Sequence, residues 1–319
     1  MAFDYLMQFP GRFLEHLIPD QMSRLSVSFL VDDLRRVPGG CACNIAYGLA
    51  LLGERPLLFA TAGPDAAEYR EALASEGIDV SGMRLEKDVF TASFFVSTDR
   101  DQNQLASYYT GAMARARNLS IRSLDPDGVS LVVISPNDPE AMNRYSRECR
   151  DSSLPFLYDP SQQVARLTGE ELERGLSGAA VLIVNDYESE ILTQKTGLGK
   201  AELEARVPVT VVTHGADGST IVVSASASPP ARYAIPPAKL ERELADPTGV
   251  GDAYRAGLIR GIRVGASWPV AGRMGSLAAV IALESEGPQP ARYTVEQFVA
   301  RYERSFGAEP QLALLTSGR

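Results

Sequence analysis

The chain has 319 residues, of which 45% are hydrophobic and 22% charged, as in an ordinary soluble globular protein. Its formal net charge of -9 argues against nucleic-acid and anionic-membrane partners, because both are negatively charged. The three cysteines are too few for a disulfide framework and favour a reducing compartment. No apolar run reaches membrane-spanning length, and the first residues, MAFDY, lack the features of a secretory signal. We therefore expect a cytoplasmic protein.

Two stretches in the first third of the chain, residues 24–37 and 89–109, have the alternation of β-strands and contain no intervening helix. We expect them to form antiparallel strands that project from the main sheet as a small lid. The second stretch carries four aromatic candidates for ligand contacts, which are Phe94, Phe95, Tyr108 and Tyr109. Packing within the lid explains some of these rings equally well, so we expect only one or two to contact a ligand.

From about residue 120, short apolar segments alternate with amphipathic ones. The predicted strands are residues 130–135, 155–159, 179–185 and 209–214, and the clearest predicted helices are residues 139–151 and 168–176. Short strands that are almost entirely apolar indicate a parallel sheet covered on both faces. The chain shows no repeat and no long linker, so we predict one α/β unit.

Three of these strands run directly into polar or glycine-rich residues, at 160–163, 186–188 and 215–218. The carboxyl ends of parallel strands are where open α/β sheets bind ligands. Every strand must end in a turn, and turns are polar in any case. Three such ends, together with a glycine turn at 249–251, nevertheless favour a ligand cleft.

The glycine turn leads into a predicted helix with an acidic residue, Asp252, in its first turn. The amino end of a helix has unpaired N–H groups and a partial charge of roughly +0.5, so Gly249, Val250 and Gly251 form a candidate anion cradle. Asp252 is then either a helix cap or the group that accepts a proton from a reacting hydroxyl. The sequence lacks the P-loop and dinucleotide-binding spacings of glycine.

Cys41 and Cys43 have a C-x-C spacing that matches half a metal site, but both histidines, His16 and His214, lie far from them in the sequence. We expect two small buried thiols.

Four ordered segments resemble the ribokinase-like (PfkB) carbohydrate and nucleoside kinases: residues 39–53, 185–188, 213–218 and 246–257. Within this family the chain looks most similar to bacterial adenosine kinases, on residues 26–34, 101–113, 137–142, 159–171 and 275–287. The resemblance implies a ribokinase-like, Rossmann-type α/β sandwich with a mostly parallel central sheet, helices on both faces and a β lid. It divides the single unit into a core at about 39–87 and 113–319 and a lid at about 5–38 and 88–112.

The resemblance also implies roles for individual residues. The nucleoside is expected to contact Asp4, Gly40 and Asn44 through its sugar and Phe94, Tyr108, Met113 and Gln162 or Gln163 through its base. The ATP site is expected to include Asn185, Thr213, Gly215 and Gly218, with Glu188 and Asn185 ordering Mg²⁺ and its waters. Asp252 is the expected base, the cradle of Gly249, Val250 and Gly251 the anion hole, and a potassium-type ion the expected neighbour of that cradle.

The implied activity is that of an ATP-dependent adenosine kinase, which transfers the γ-phosphate to the 5′-hydroxyl of adenosine and gives AMP in purine salvage. The alternatives are a kinase of ribose or fructose and a non-catalytic nucleoside-binding or dimerisation protein; a homodimer through the lid is also possible. Relatives begin with a strand before the residue that matches Asp4, whereas this sequence has only Met1-Ala2-Phe3 there. Without that strand, a parallel sheet would have an exposed edge.

Overall fold

A computed structural model of the chain describes residues 1–16, 26–224 and 229–316. Its largest sheet has the strand order β12-β11-β10-β9-β8-β7. The strands are β7 Val132–Ile134, β8 Phe156–Tyr158, β9 Val181–Asn185, β10 Val209–Thr213, β11 Ser219–Val223 and β12 Ala231–Ile235. Strands β7 to β10 are parallel, and β11 and β12 pair antiparallel with their neighbours. The sheet is therefore mixed, with the predicted parallel strands on one side, ending at the edge strand β7, and the antiparallel strands β11 and β12 on the other.

Helices cover both faces of this sheet. They are α1 Phe13–His16, α2 Cys41–Leu51, α3 Ala67–Ser75, α4 Pro139–Asp151, α5 Gly169–Leu176, α6 Asp186–Thr196, α7 Lys200–Arg206, α8 Val250–Arg263, α9 Trp268–Leu283, α10 Val295–Phe306 and α11 Ala313–Thr316. Adjacent residues of β9 point to opposite faces: Leu182 packs in a core with Leu172 of α5, and Ile183 in a core with Ile45 and Leu258 of α2 and α8. The α/β sandwich predicted from the sequence is confirmed.

The lid is a separate four-stranded sheet of order β2-β1-β5-β6. Its strands are β1 Ala2–Gln8, β2 Asp33–Gly39, β5 Ala92–Thr98 and β6 Gln104–Tyr109. The two stretches predicted to be antiparallel form β2, β5 and β6, and β5 pairs antiparallel with β6 as expected. The prediction did not include β1, which pairs antiparallel with β2 and parallel with β5. The chain passes through the core between β2 and β5 and can therefore re-enter the lid in this direction.

The strand predicted over residues 24–37 begins later, at Asp33. Residues 24 and 25 lie outside the described residues, and residues 26–32 have no regular secondary structure. Asp33 pairs with Gln8, the last residue of β1. The residues before Asp33 therefore extend past the end of β1 and have no residue of that strand to pair with.

A third, small sheet consists of the parallel strands β3 Ala60–Ala62 and β4 Met83–Leu85, with α3 between them in the chain. Within the described residues, β3 pairs only with β4, and β7 of the large sheet pairs only with β8. The part of the core that contains α2 and α3 is therefore not joined to the large sheet by a strand ladder.

Candidate active site

A cavity of about 870 Å³ lies beneath the lid, between α2, the amino end of α8 and the carboxyl ends of β7 and β8. It is lined by all eight residues predicted to contact the nucleoside, together with Gly249 and Asp252. Its size is within the usual range of small-molecule sites, about 300–1,000 Å³. The fold thus brings together residues from the first and the last quarter of the chain.

The amino end of α8 forms one wall of the cavity. Gly249 has a φ of 77°, and a Cβ atom at this position would lie 2.5 Å from the carbonyl oxygen of Pro288. The turn therefore requires glycine. Helix α8 begins at Val250, whose N–H donates to the carbonyl oxygen of Pro247 over 3.4 Å. The first turn of the helix lies at the cavity wall, where the glycine pattern predicts an anion cradle.

Asp252 is held in place from the opposite wall by α2. Asn44 donates a hydrogen bond from Nδ2 to a carboxylate oxygen of Asp252 over 2.9 Å. Gln289, which sequence reasoning missed, donates from Nε2 to the hydroxyl of Tyr69 and, over 3.4 Å, to Oδ1 of Asn44. This contact orients the amide of Asn44 so that its NH₂ group faces Asp252. Burial raises the pKa of Asp252, and the nearby charge of Arg255 opposes that shift.

Arg255 and Asp159 form an ion pair behind Asp252 that the sequence did not reveal. Both are buried, with Arg255 Nη2 2.6 Å from Oδ1 of Asp159 and Nε 2.5 Å from Oδ2. A Cβ atom at Gly251 would lie 2.8 Å from Nη1 of Arg255, so the guanidinium passes directly beside the glycine cradle. The one sequence signal for this pair is Arg255 itself, a charged residue among small and apolar ones. It follows Asp252 by three positions, so the two side chains are neighbours on the predicted helix.

Asp4 enters the cavity from β1, the strand between β2 and β5 in the lid sheet. The backbone of Gly39, at the end of β2, approaches the Asp4 carboxylate so closely that a Cβ atom at residue 39 would lie 2.7 Å from it. Burial, followed by the negative charges of Asp252 and Asp246, raises the pKa of Asp4 to about 6. Gly40 has a φ of 94°, and a Cβ there would lie 2.9 Å from the backbone nitrogen of Ala2.

The proposed base slot is formed by Phe94, Tyr108 and Met113. Phe94 and Tyr108 are opposite each other on β5 and β6, and the hydroxyl of Tyr108 donates to Sδ of Met113 over 3.3 Å. Although Tyr108 is 47% exposed, desolvation of its hydroxyl raises its pKa to about 12, so the hydroxyl stays protonated and can donate. Phe95 follows Phe94 on β5, and successive side chains of a strand point to opposite faces of the sheet. Its ring therefore lies on the other face of the lid, where it stacks on Tyr5 with ring centroids 4.6 Å apart.

The two glutamines differ in their surroundings. Gln163 is buried and donates from Nε2 to the carbonyl oxygen of Asn137 over 2.8 Å, whereas Gln162 is exposed and accepts a hydrogen bond from Ser161. Because a carbonyl accepts from Gln163, its amide nitrogen must face Asn137 and its Oε1 must face the other way. That buried oxygen has no hydrogen-bond partner among the described residues.

The residues predicted for ATP lie outside the cavity lining, at the adjacent ends of β9 and β10. Thr213 is the register partner of Asn185. Gly215 and Gly218 both have positive φ, and a Cβ at Gly218 would lie 2.1 Å from the carbonyl oxygen of Ile235. His214, which lies between Thr213 and Gly215 in the chain, is hydrogen-bonded to Asp186 and Thr220, both at 2.8 Å.

Asn185 and Glu188 cap helix α6. The Asn185 side chain accepts from the N–H of Glu188, and the Glu188 carboxylate accepts from the N–H of Asn185, each over 2.8 Å. The described residues contain no group of three or more His, Cys, Asp or Glu side chains that could hold a metal ion. One carboxylate nevertheless suits Mg²⁺, which usually keeps several waters and binds phosphate oxygens. Glu188 therefore fits a water-mediated role.

Of the two thiols predicted to be buried, Cys43 is buried, whereas Cys41 at the start of α2 is only partly buried. Desolvation raises the pKa of both thiols, which disfavours their thiolate forms. Among the residues that the structure describes, no helix is both long enough and apolar enough to cross a bilayer.

Comparisons with known proteins identify the family of this chain. Residues 11–294 match the profile described as pfkB family carbohydrate kinase. A nucleoside kinase of Methanothermobacter thermautotrophicus is 31% identical over 318 residues, which cover 98% of this chain and 96% of that protein. The solved nucleoside kinase of Burkholderia thailandensis in complex with inosine is 34% identical with a TM-score of 0.85, and the match covers 97% of both chains. Its ADP-inosine complex is 35% identical with a TM-score of 0.83 over 97% of this chain and 95% of that one.

Proposed function

This chain belongs to the pfkB family of carbohydrate kinases, and we propose that it transfers the γ-phosphate of ATP to the 5′-hydroxyl of a purine nucleoside. The observation that carries the proposal is one cavity that contains the carboxylate of Asp4, an apolar slot and Asp252 at a helix amino end. The relatives named nucleoside kinase, and the complexes of one of them with inosine and ADP, support the same class of substrates.

In this proposal the nucleoside lies with its ribose hydroxyls against Asp4, Gly40 and Asn44 and its base in the slot. The 5′-hydroxyl then faces Asp252. As the 5′-oxygen forms its bond to the γ-phosphorus, the bond from that phosphorus to the ADP oxygen breaks and the hydroxyl proton passes to Asp252. Its raised pKa makes Asp252 a better proton acceptor than an exposed carboxylate. In a loose transition state the bond to the attacking oxygen is only slightly formed, so the hydroxyl proton is transferred late in the reaction. The attacking and leaving oxygens must be held in line throughout.

The amino end of α8 supplies the positive potential for the transferred group. Because the N–H of Val250 donates to Pro247, the N–H groups of Gly251 and Asp252 are the ones left for the phosphoryl group, and Arg255 lies directly beside the cradle. Donors fixed in a site shielded from water stabilise developing charge without reorganisation. When bound, Mg²⁺ neutralises charge on the phosphates, and Glu188 and Asn185 are the residues that would hold its waters. A potassium-type ion beside the cradle stays a prediction.

Adenosine is the substrate that we infer, on the basis of Gln163. The 6-amino group of adenine is a hydrogen-bond donor, whereas inosine has a carbonyl acceptor at that position. Gln163 lines the cavity, and its buried Oε1 is an acceptor without a partner among the described residues, which matches the donor of adenine better. A bare sugar would leave the slot of Phe94 and Met113 unfilled, which argues against a kinase of ribose or fructose.

The test is turnover of this chain with ATP, Mg²⁺ and K⁺, comparing adenosine, guanosine, inosine, ribose and fructose in a coupled assay. We expect adenosine to be preferred over inosine by about tenfold or more, the usual effect of one buried polar contact. Faster turnover of ribose or fructose would establish the sugar-kinase alternative. Thermal stabilisation by adenosine without turnover of any substrate would establish the non-catalytic one.

The lid also supports the predicted homodimer. All six residues of β6 are exposed, and the stacked rings of Tyr5 and Phe95 lie on the lid with Phe95 still 38% exposed. A second copy that covers this face would bury an unpaired strand edge. Light scattering of the purified chain, compared with a Phe95→Lys variant, tests it: the variant should be monomeric if the lid is the interface.

A further inference from the structure

The hydrogen bond between Asn44 and Asp252 is the last of four that begin at the lid. Asn44 donates to Asp252 over 2.9 Å, and Gln289 donates from Nε2 to Oδ1 of Asn44 over 3.4 Å. The same Nε2 donates to the hydroxyl of Tyr69 over 2.7 Å, and that hydroxyl donates to the carbonyl oxygen of Gly39 over 3.4 Å. We call this chain of five residues, from Gly39 to Asp252, the relay.

Both ends of the relay can only accept hydrogen bonds, and this fixes the direction of every bond between them. The ionised carboxylate of Asp252 and the backbone carbonyl of Gly39 have no hydrogen to donate. Asn44 must therefore turn its NH₂ group to Asp252 and its oxygen to Gln289. Burial raises the pKa of Tyr69, so its hydroxyl keeps the hydrogen that it gives to Gly39. Gln289 is thus the member that donates in both directions.

The Gly39 end of the relay belongs to the lid. Gly39 is the last residue of β2, and its backbone lies against the carboxylate of Asp4. Tyr69 of α3 contacts the lid a second time through its ring, which packs on Phe3 of β1 with ring centroids 5.6 Å apart. Because Tyr69 is buried in a packed core, a shift of β1 or β2 must move its ring or break its contacts.

The other end of the relay is fixed to the core. The N–H of Gly287 donates to Asp246 over 3.2 Å. Pro288 packs so closely against Gly249 that a Cβ atom at residue 249 would lie 2.5 Å from its carbonyl oxygen. The side chain of Gln289, the next residue, therefore extends from a segment that is anchored to the turn before α8.

We propose that Tyr69 and Gln289 are positioning residues that couple the lid to the base: with β2 in place, the relay presents the NH₂ group of Asn44 to Asp252, and a displaced lid releases it. Held in this way, Asp252 keeps its second carboxylate oxygen for the 5′-hydroxyl. Tyr69 and Gln289 are not among the residues that line the cavity, so they act through Asn44. The effect on turnover rests on the proposed function, whereas the coupling itself does not.

The first measurement is hydrogen exchange of the Asn44 side-chain amide, followed by NMR of protein with ¹⁵N-labelled asparagine and without substrate. Gln289→Met keeps the length of the side chain but donates nothing, and should speed this exchange by about tenfold, the usual effect of one lost hydrogen bond. Tyr69→Phe should speed it by several-fold. The matched control is Tyr47→Phe, because the hydroxyl of this buried tyrosine donates to the carbonyl of Pro290 over 3.2 Å but lies outside the relay.

Double variants test whether the residues act in series. Tyr69 reaches Asn44 only through Gln289 in the relay, so Gln289→Met with Tyr69→Phe should exchange at the rate of Gln289→Met alone. On the lid side, Phe3→Leu loosens the packing on Tyr69. It should speed the exchange of Asn44 in the wild type and add nothing in the Tyr69→Phe background.

The second measurement is turnover of adenosine with ATP. Gln289→Met and Tyr69→Phe should each lower kcat by about tenfold or less, with a smaller change in KM, because the substrate contacts neither residue. Tyr47→Phe should leave kcat unchanged. Faster exchange of Asn44 with an unchanged kcat would exclude the positioning role.

Unchanged exchange in both single variants would overturn the proposal. Equal acceleration by Tyr47→Phe would also overturn it, because any loosening of the segment 287–290 would then suffice. Additive effects of Tyr69→Phe and Gln289→Met would mean that Tyr69 acts by a separate route. If the kinase proposal fails, every form is inactive while the exchange of Asn44 still responds to the variants; if the relay fails, that exchange is unchanged whatever the activity.

Discussion

Arg255 of α8 and Asp159, the residue after β8, form a buried ion pair with two contacts of 2.6 and 2.5 Å. Burial works to lower the pKa of Arg255, but the charge of Asp159 more than offsets this and raises it. The guanidinium is therefore fixed as a cation beside Gly251 and the first turn of α8. A fixed positive charge behind an anion cradle adds to the field of the helix end.

We expect Arg255→Met to lower the free energy of unfolding by about 3–5 kcal/mol, because it leaves Asp159 buried and unpaired. Urea denaturation measures this loss. The double variant Arg255→Met with Asp159→Leu removes both charges and should recover most of the stability. Turnover should not recover with it, since the cation beside the cradle is still missing. Recovery of turnover together with stability would show that Arg255 is only structural.

Asp252→Asn should lower kcat by about 10²–10⁴-fold, because the amide keeps the shape of the side chain but cannot accept the proton. We expect the Kd for adenosine, measured by titration without ATP, to change by only a few-fold. Asp127→Asn, an exposed site, is the control for the change in charge. Turnover of the Asp252 variant at the wild-type rate would exclude Asp252 as the base.

The raised pKa of Asp4 predicts two pH effects of opposite sign. The pKa is about 6 in the folded chain and 3.8 in the unfolded one, so the folded state holds the proton more tightly. Stability from this group is therefore present below about pH 4 and is lost as the pH rises through 6. Asp4→Asn should thus raise the melting temperature at pH 7.5 and leave it almost unchanged at pH 4.

Nucleoside binding should respond in the other direction, because ribose hydroxyls donate to the ionised carboxylate. We expect the Kd for adenosine to rise as the pH falls through about 6 in the wild type, and the Asp4→Asn variant to bind weakly with a flat profile over this range. Calorimetric titrations from pH 5 to 8 measure both profiles. A wild-type profile that is equally flat would remove Asp4 from the sugar site.

The magnesium role of Glu188 is separable from its role as a helix cap. Glu188→Gln should raise the Mg²⁺ concentration for half-maximal turnover by about tenfold or more. Helix α5 begins with the same kind of capping box, formed by Thr168 and Glu171, so Glu171→Gln is a matched control that alters a cap alone. If both variants shift the Mg²⁺ requirement equally, the effect comes from stability and not from the metal.

The preference for adenosine should depend on Gln163 and not on Gln162. We expect Gln163→Leu to lower the ratio of kcat/KM for adenosine over inosine by about tenfold, because the acceptor for the 6-amino group is lost. Gln162→Leu removes the exposed neighbouring amide and should leave the ratio unchanged. An effect confined to the Gln162 variant would move the base contact to that residue.

Much of the fold followed from local signals in the sequence. The apolar runs of β8 and β9 and the periodicity of α4 mark elements whose bounds depend mainly on neighbouring residues. The same is true of the turn at Gly249, where positive φ and the close approach of Pro288 both require glycine. Motifs of this kind carried the resemblance to the kinase family and the positions of Asp252 and Asn185.

The tertiary structure decided what depends on residues far apart in the chain. Asn44 meets Asp252 across 208 positions and Asp159 meets Arg255 across 96, and no local pattern marks such pairs. The parallel pairing of β1 with β5 and the separation of β3 from β7 are likewise settled by which edges come together in space. Local sequence determines which elements form, because backbone propensity and periodicity act over a few residues. Packing determines which side chains share a buried site, because burial and charge act through space.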